Sequence, residues 1–86
     1  MRTLKFFRTP ACPLCPAAKR MLDEIMPQLE GKLEIKAVDT WTPEGRQEAM
    51  NIKVLTVPSF ALDDMVLFRA LPPNSDELLR KIREHL

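Results

Sequence analysis

The sequence predicts an α/β fold in which a mixed four-stranded sheet is flanked by helices, in the order β-α-β-α-β-β-α. Three observations carry that prediction. A strand-like run, a stretch of helical period and an alternating run follow one another between Thr3 and Asp39, which is the pattern of a β-α-β unit. Two short apolar runs flank Asp63-Asp64, as in a hairpin. A capped amphipathic stretch follows Asn74. The first two strands, joined through a helix, are expected to be parallel with a right-handed crossover, and the hairpin supplies antiparallel strands.

The first strand is read in Thr3-Leu4-Lys5-Phe6-Phe7-Arg8-Thr9, a short apolar run of buried character. After Cys12, apolar or small residues at Ala17, Ala18, Met21, Leu22, Ile25, Met26 and Leu29 recur at helical spacing. Cys12 is therefore expected at or near the N-cap, with Pro13 at the first helical position, where its missing N–H costs little. Pro16 falls at the fourth position, and Pro27 and Gly31 close the helix. Lys32 to Asp39 alternates, with Leu33, Ile35 and Ala37 on one face of a second strand. Thr42-Pro43-Glu44 supplies an N-cap, a first-turn proline and an acid favoured by the helix dipole, so a short helix is predicted over Pro43–Met50, with Asn51 as its left-handed stop. Ser59–Leu62 and Met65–Arg69 form the hairpin around Asp63-Asp64, whose short polar side chains suit a tight turn. In the last helix Leu78, Leu79, Ile82 and Leu86 face inward, and Arg80, Lys81, Arg83 and Glu84 face outward. Met21, Met26 and Met50 read as core filler, and Trp41, which follows the second strand, either borders the site or, the favoured reading, packs in the core or at its edge.

Composition narrows the functional classes. With 86 residues the chain has room for one small domain, 1–86, and none for a second. A hydrophobic content of 45% and a charged content of 29% belong to a globular chain, not a disordered one. The net charge of +1, with bases interleaved among acids, gives no field for nucleic acid. No apolar run approaches the ~20 residues of a membrane span, and Met1-Arg2-Thr3-Leu4 leads into a strand instead of a signal segment. The expectation is a cytoplasmic monomer that binds neither nucleic acid nor membrane.

Cys12-Pro13-Leu14-Cys15 places two thiols about one helical turn apart, directly after a strand. Free N–H groups at a helix start favour a thiolate on the first sulfur, and Cys15, on the protein side of the helix, can attack a disulfide formed by Cys12. A redox dithiol is the reading. The alternatives are a structural disulfide, a pair of inert buried thiols, or a non-catalytic metal or iron–sulfur module. The staple is weak because so short a loop restricts the unfolded chain little. Structural zinc needs four ligands, and beyond the cysteines the strong candidate is His85, whose other reading is a solvated partner of the last helix's dipole. Arg8, Lys19 and Arg20 stand near the dithiol in sequence, where they favour thiolate or remain solvated surface charge.

The element order, the Cys12-Pro13-Leu14-Cys15 motif and the later Thr56-Val57-Pro58-Ser59-Phe60 together resemble the thioredoxin superfamily, especially small glutaredoxin-like thioredoxins of archaea and anaerobes. The resemblance covers nearly the whole chain and implies a thioredoxin-like fold. It also implies a cis bond between Val57 and Pro58 at the start of the third strand, beside the dithiol; a plain strand-start proline is the other reading of Pro58. The resemblance casts the protein as a protein disulfide reductase without metal or organic cofactor. Cys12 is its nucleophile, Cys15 resolves the mixed disulfide, and Pro13, Leu14, Val57 and Pro58 contact the substrate. A glutathione-dependent glutaredoxin is the alternative within the redox class. Where glutaredoxins carry a glycine pair that admits glutathione, this chain has Arg69-Ala70-Leu71-Pro72-Pro73, and Pro supplies no N–H. The expected electron donor is therefore a flavin-dependent enzyme of the thioredoxin-reductase type. Where thioredoxins bury an acid beneath the dithiol, this chain has Phe6.

Overall fold

The computed structural model describes residues 2–86. Its elements are β1 (Arg2–Arg8), α1 (Cys15–Leu29), β2 (Leu33–Asp39), α2 (Pro43–Asn51), β3 (Ser59–Leu62), β4 (Met65–Phe68) and α3 (Ser75–Glu84). This is the order read from the sequence. The four strands form a mixed sheet ordered β2-β1-β3-β4. β1 runs parallel to β2, with Phe6 opposite Ala37 and Arg8 opposite Asp39, and antiparallel to β3, with Phe6 opposite Phe60. β3 and β4 are antiparallel, with a register shift between Phe60 and Ala61.

The sheet is covered on both faces. Leu4 and Phe6 of β1, with Phe60 and Leu62 of β3, pack against Ala18, Leu22, Ile25 and Leu29 of α1 and Leu78, Leu79 and Ile82 of α3. The odd-numbered face of β1 turns the other way: Phe7 joins Val38, Ala49, Val54 and Ala61 beneath α2. β1, a paired strand with cores on both sides, accordingly buries Leu4 and Phe6 on one face and Phe7 on the other. Phe6 and Phe60 stack across the strand pair at 5.1 Å between ring centroids.

Several boundaries differ from the sequence reading. α1 begins at Cys15 with Leu14 as its N-cap, whose carbonyl accepts the Ala18 N–H at 3.1 Å. Cys12 and Pro13 thus stand in the turn before the helix, where the Cys12 N–H donates to the Thr9 carbonyl at 3.3 Å, and Pro16 sits at the second helical position, not the fourth. That place tolerates proline because its N–H has no intrahelical acceptor. Pro27 lies inside α1, which runs on to Leu29 before Gly31 turns left-handed at φ +78°. Asn51 is the last residue of α2, and the left-handed residue is Lys53 at φ 61°. The Val54 N–H reaches Ala49 and the Lys53 N–H reaches Met50, which is a Schellman closure with Val54 and Ala49 packed together. Ala37 is exposed while Val38 is buried, because β2 is an edge strand covered by α2 near its end. Met26, Met50, Trp41 and Leu86 are exposed instead of packed.

The caps read from the sequence form. Thr42 Oγ1 accepts the Gly45 N–H at 3.0 Å, and Asn74 Oδ1 accepts the Glu77 N–H at 2.9 Å. A Cβ at Gly45 would stand 1.9 Å from the Asp39 carbonyl oxygen, so glycine lets α2 begin tight against the end of β2.

Candidate functional site: the Cys12–Cys15 dithiol

β1 delivers the chain to Arg8 at the carboxyl end of the sheet, and the turn from Thr9 to Leu14 carries it into α1. Cys12 and Cys15 are joined there as a disulfide, with Cα atoms 5.3 Å apart. The two sulfur-bearing residues differ in access. Cys15 is 5% exposed and belongs to the core beneath α1, whereas Cys12 is half-buried and rests on the edge of that core. Pro13 and Leu14 stand on the surface between them, Leu14 at 50% exposure.

Val57 and Pro58 enter β3 through a cis peptide bond. Pro58 is fully buried, and the half-buried Val57 packs against both cores. Hydrogen bonds brace this loop. The Thr56 hydroxyl donates to the Arg69 carbonyl, the Ser59 hydroxyl donates to the Thr56 carbonyl at 2.6 Å, and the Arg69 guanidinium donates to the Lys53 carbonyl. Arg69 thus holds the stretch from Lys53 to Thr56 against the end of β4.

Further side chains gather beside this loop. Trp41, Met50, Leu55 and Val57 line one groove with Thr9 and Arg46, and Trp41 and Leu55 are 58% and 84% exposed. The sequence favours core or edge packing for Trp41 over a place bordering the site, because a lone tryptophan after a strand has no periodic neighbours to place it. His85 caps α3, where its carbonyl accepts from the Arg2 guanidinium. It therefore stands by the opposite end of β1 from the dithiol. Among the described residues no group of three or more His, Cys, Asp or Glu side chains comes together to hold a metal ion.

The fold and the motif have known relatives. A thioredoxin of Methanocaldococcus jannaschii is 29% identical over 83 residues, covering 96% of this chain and 94% of its own. A probable thioredoxin of Archaeoglobus fulgidus is 31% identical over 85 residues, covering 96% and 91%. The chain belongs to the thioredoxin family. No protein-family model matches it. Among solved structures, a thioredoxin from Thermus thermophilus superposes with a TM-score of 0.80 at 22% identity, covering 96% of this chain and 72% of that one. The fold is thus thioredoxin-like, and the Cys12–Cys15 pair in this thioredoxin makes it a thiol–disulfide oxidoreductase. That kinship does not favour the metal or iron–sulfur reading.

Proposed function

We propose that this thioredoxin reduces protein disulfides by attack of the Cys12 thiolate, with Cys15 as the resolving thiol. The observation that carries the assignment is the unequal access of the pair: Cys12 is half-buried and Cys15 is buried. A nucleophile must meet a bulky partner, and a resolving thiol needs only to meet its neighbour. Cys12 attacks one sulfur of the substrate disulfide, forming a mixed disulfide and releasing the other sulfur as a thiolate. Cys15 then attacks the Cys12 sulfur, the Cys12–substrate bond breaks, and the Cys12–Cys15 disulfide closes as the second substrate thiolate leaves. Positive potential at the start of α1 favours the Cys12 thiolate, because the first-turn N–H groups there lack helical acceptors.

Pro13, Leu14, Val57 and Pro58 supply the substrate contacts in this reading. Leu14 offers an exposed apolar side chain, and the Val57 backbone offers polar groups to an extended substrate strand. Thioredoxin kinship implies disulfide-containing proteins as substrates and a reductase as partner. The finer proposal is a flavin-dependent reductase, acting on a monomer in the cytoplasm. Pro72 and Pro73 support it, since they remove backbone N–H groups from the stretch where a glutathione carboxylate would need them. No helix among the described residues is long and apolar enough to cross a membrane.

Two measurements test this. Cys15→Ser, reduced beforehand, is expected to accumulate a mixed disulfide with a disulfide-bonded substrate such as insulin, while Cys12→Ser accumulates none and loses turnover. Substantial insulin reduction by Cys12→Ser would reverse the roles. For the donor, the oxidised protein is expected to be reduced quickly by a flavin thioredoxin reductase and slowly by millimolar glutathione poised at the same potential. Fast turnover with glutathione alone would place the protein with glutathione-dependent enzymes.

A further inference from the structure

Resolution requires Cys15 to lose a proton, and Cys15 is buried at 5% exposure. The residues around it show where that proton can go. A cleft of about 260 Å³ opens between the end of β1 and the first turns of α1, bordered by Phe6, Arg8, Cys12, Cys15, Lys19 and Ala37. At ~30 Å³ per water it has room for several. Among the described residues no carboxylate and no imidazole lines it. Its charged groups are Arg8 from β1 and Lys19 from α1, while β2 contributes the methyl group of Ala37. Lys19 shares its charge with Asp23 one turn along the helix, at 2.8 Å. Arg8 makes no ion pair among the described residues. Asp39, the register partner of Arg8 on β2, turns its carboxylate to the Trp41 N–H at 2.9 Å and does not border the cleft.

We propose that this cleft is the proton exit of Cys15: water in the cleft accepts the thiol proton, and Arg8 and Lys19 hold the thiolate that remains, so that resolution proceeds without a carboxylate base. The inference rests on the assignment of Cys15 as resolving thiol. In the step, the Cys15 S–H bond breaks and its proton passes to water. The sulfur's electron pair forms the bond to Cys12 Sγ, and the Cys12–substrate bond breaks with its pair on the departing substrate sulfur. The substrate disulfide is the oxidant, and nothing further is required. Arg8 and Lys19 act as positioning residues through their charge. Ala37 and Phe6 shape the opening, Ala37 because its short side chain leaves the edge strand open beside Phe6.

The test mixes reduced protein, in excess, with 5,5′-dithiobis(2-nitrobenzoate) across a range of pH. A first, concentration-dependent release of thionitrobenzoate reports attack by Cys12, and a second, concentration-independent release reports attack by Cys15. Removing both cations with Arg8→Gln and Lys19→Gln is expected to move the midpoint of the second phase up by about one pH unit. At neutral pH that phase slows about threefold, because tenfold less thiolate is partly offset by its greater nucleophilicity. For the same reason the alkaline plateau is not lowered, an outcome that general damage to the fold would not produce. Arg8→Lys is expected to keep the wild-type midpoint, Ala37→Leu to raise it by filling the cleft, and Asp39→Asn to leave it in place. An unchanged midpoint in the double variant, or a second phase slowed by Asp39→Asn, overturns the proposal. A wild-type protein with no concentration-independent phase overturns the assignment of Cys15 itself, and this proposal with it.

Discussion

Phe6 shows how one residue serves both the core and the site. It is 2% exposed, stacks on Phe60, and forms a wall of the cleft beside Cys15. A carboxylate in its place would need burial among the apolar side chains of Leu4, Leu22 and Phe60, which is costly. The aromatic ring is the stable choice, and it leaves the proton of Cys15 to solvent. Phe6→Ala is expected to cost about 3–5 kcal/mol by loss of burial and creation of a cavity. Phe6→Leu should cost less than about 1.5 kcal/mol if its neighbours repack. Urea denaturation of both variants measures the difference, and equal losses would mean that the ring's volume is not what the core uses. Arg69 is the second instructive residue. The sequence reading took it only as an obstacle to glutathione, but its guanidinium ties Lys53 and its carbonyl ties Thr56, so it also braces the cis-proline loop.

At the scale of elements, closures matter more than propensities. α2 is short and ends with Lys53 left-handed, a conformation that carries a steric cost for any residue with a Cβ. Lys53→Gly is expected to raise stability by up to about 1 kcal/mol, since the Schellman hydrogen bonds to Ala49 and Met50 use backbone alone. α3 begins with the Asn74 cap, and Asn74→Ala should cost about 1 kcal/mol through loss of the acceptor for the Glu77 N–H. Thermal melts of the two variants should therefore shift in opposite directions. The β3–β4 turn has its own anchor. Asp63 is left-handed at φ 54°, and its carboxylate accepts from the Arg2 guanidinium at 2.9 Å and from the Thr3 N–H at 3.0 Å. Those hydrogen bonds, with the Arg2 and Lys5 charges, outweigh a small desolvation effect and hold its carboxyl below the usual aspartate range. The hairpin is thereby pinned to the beginning of β1.

Across the whole molecule, the sheet brings Lys5 and Lys36 side by side in register, and α2 answers with Glu48. Glu48 lies 3.3 Å from the Lys5 ammonium and 3.1 Å from that of Lys36, and Lys5 also reaches Asp64 in the hairpin turn at 3.6 Å. Partial burial alone would raise the Glu48 carboxyl, but hydrogen bonds from Lys36 and Lys5, with their charges, more than offset it and leave the carboxyl below its ordinary value. A carboxyl depressed in the folded state stabilises the fold above its unfolded value, and the contribution is lost as pH falls through the folded value. Stability of the wild type is thus expected to decline below about pH 4.3. Glu48→Gln should be less stable at neutral pH and show a shallower decline in acid. Urea midpoints at pH 7 and pH 3 check this, and parallel pH dependences would assign the acid loss to other carboxylates.

The order of elements, the hairpin, the caps at Thr42 and Asn74 and the dithiol were legible in the residues alone. Each is written in local terms: a period of 3.6 or 2, a capping side chain, or a proline or short polar residue at a turn. The cis bond at Val57–Pro58 was legible only through resemblance, since a strand-start proline fits the local pattern as well. Tertiary structure decided the rest. It set the start of α1 at Cys15 because the turn from Thr9 must first carry the chain off β1, and it moved the left-handed stop from Asn51 to Lys53, where Val54 can meet Ala49. It also left Trp41 and Leu55 exposed beside the cis-proline loop, and set Arg8 and Lys19, from different elements, around one cleft against Cys15. Such features depend on pairs of residues far apart in the chain, whose meeting is a property of the sheet register and the helix packing, and no window of sequence contains it.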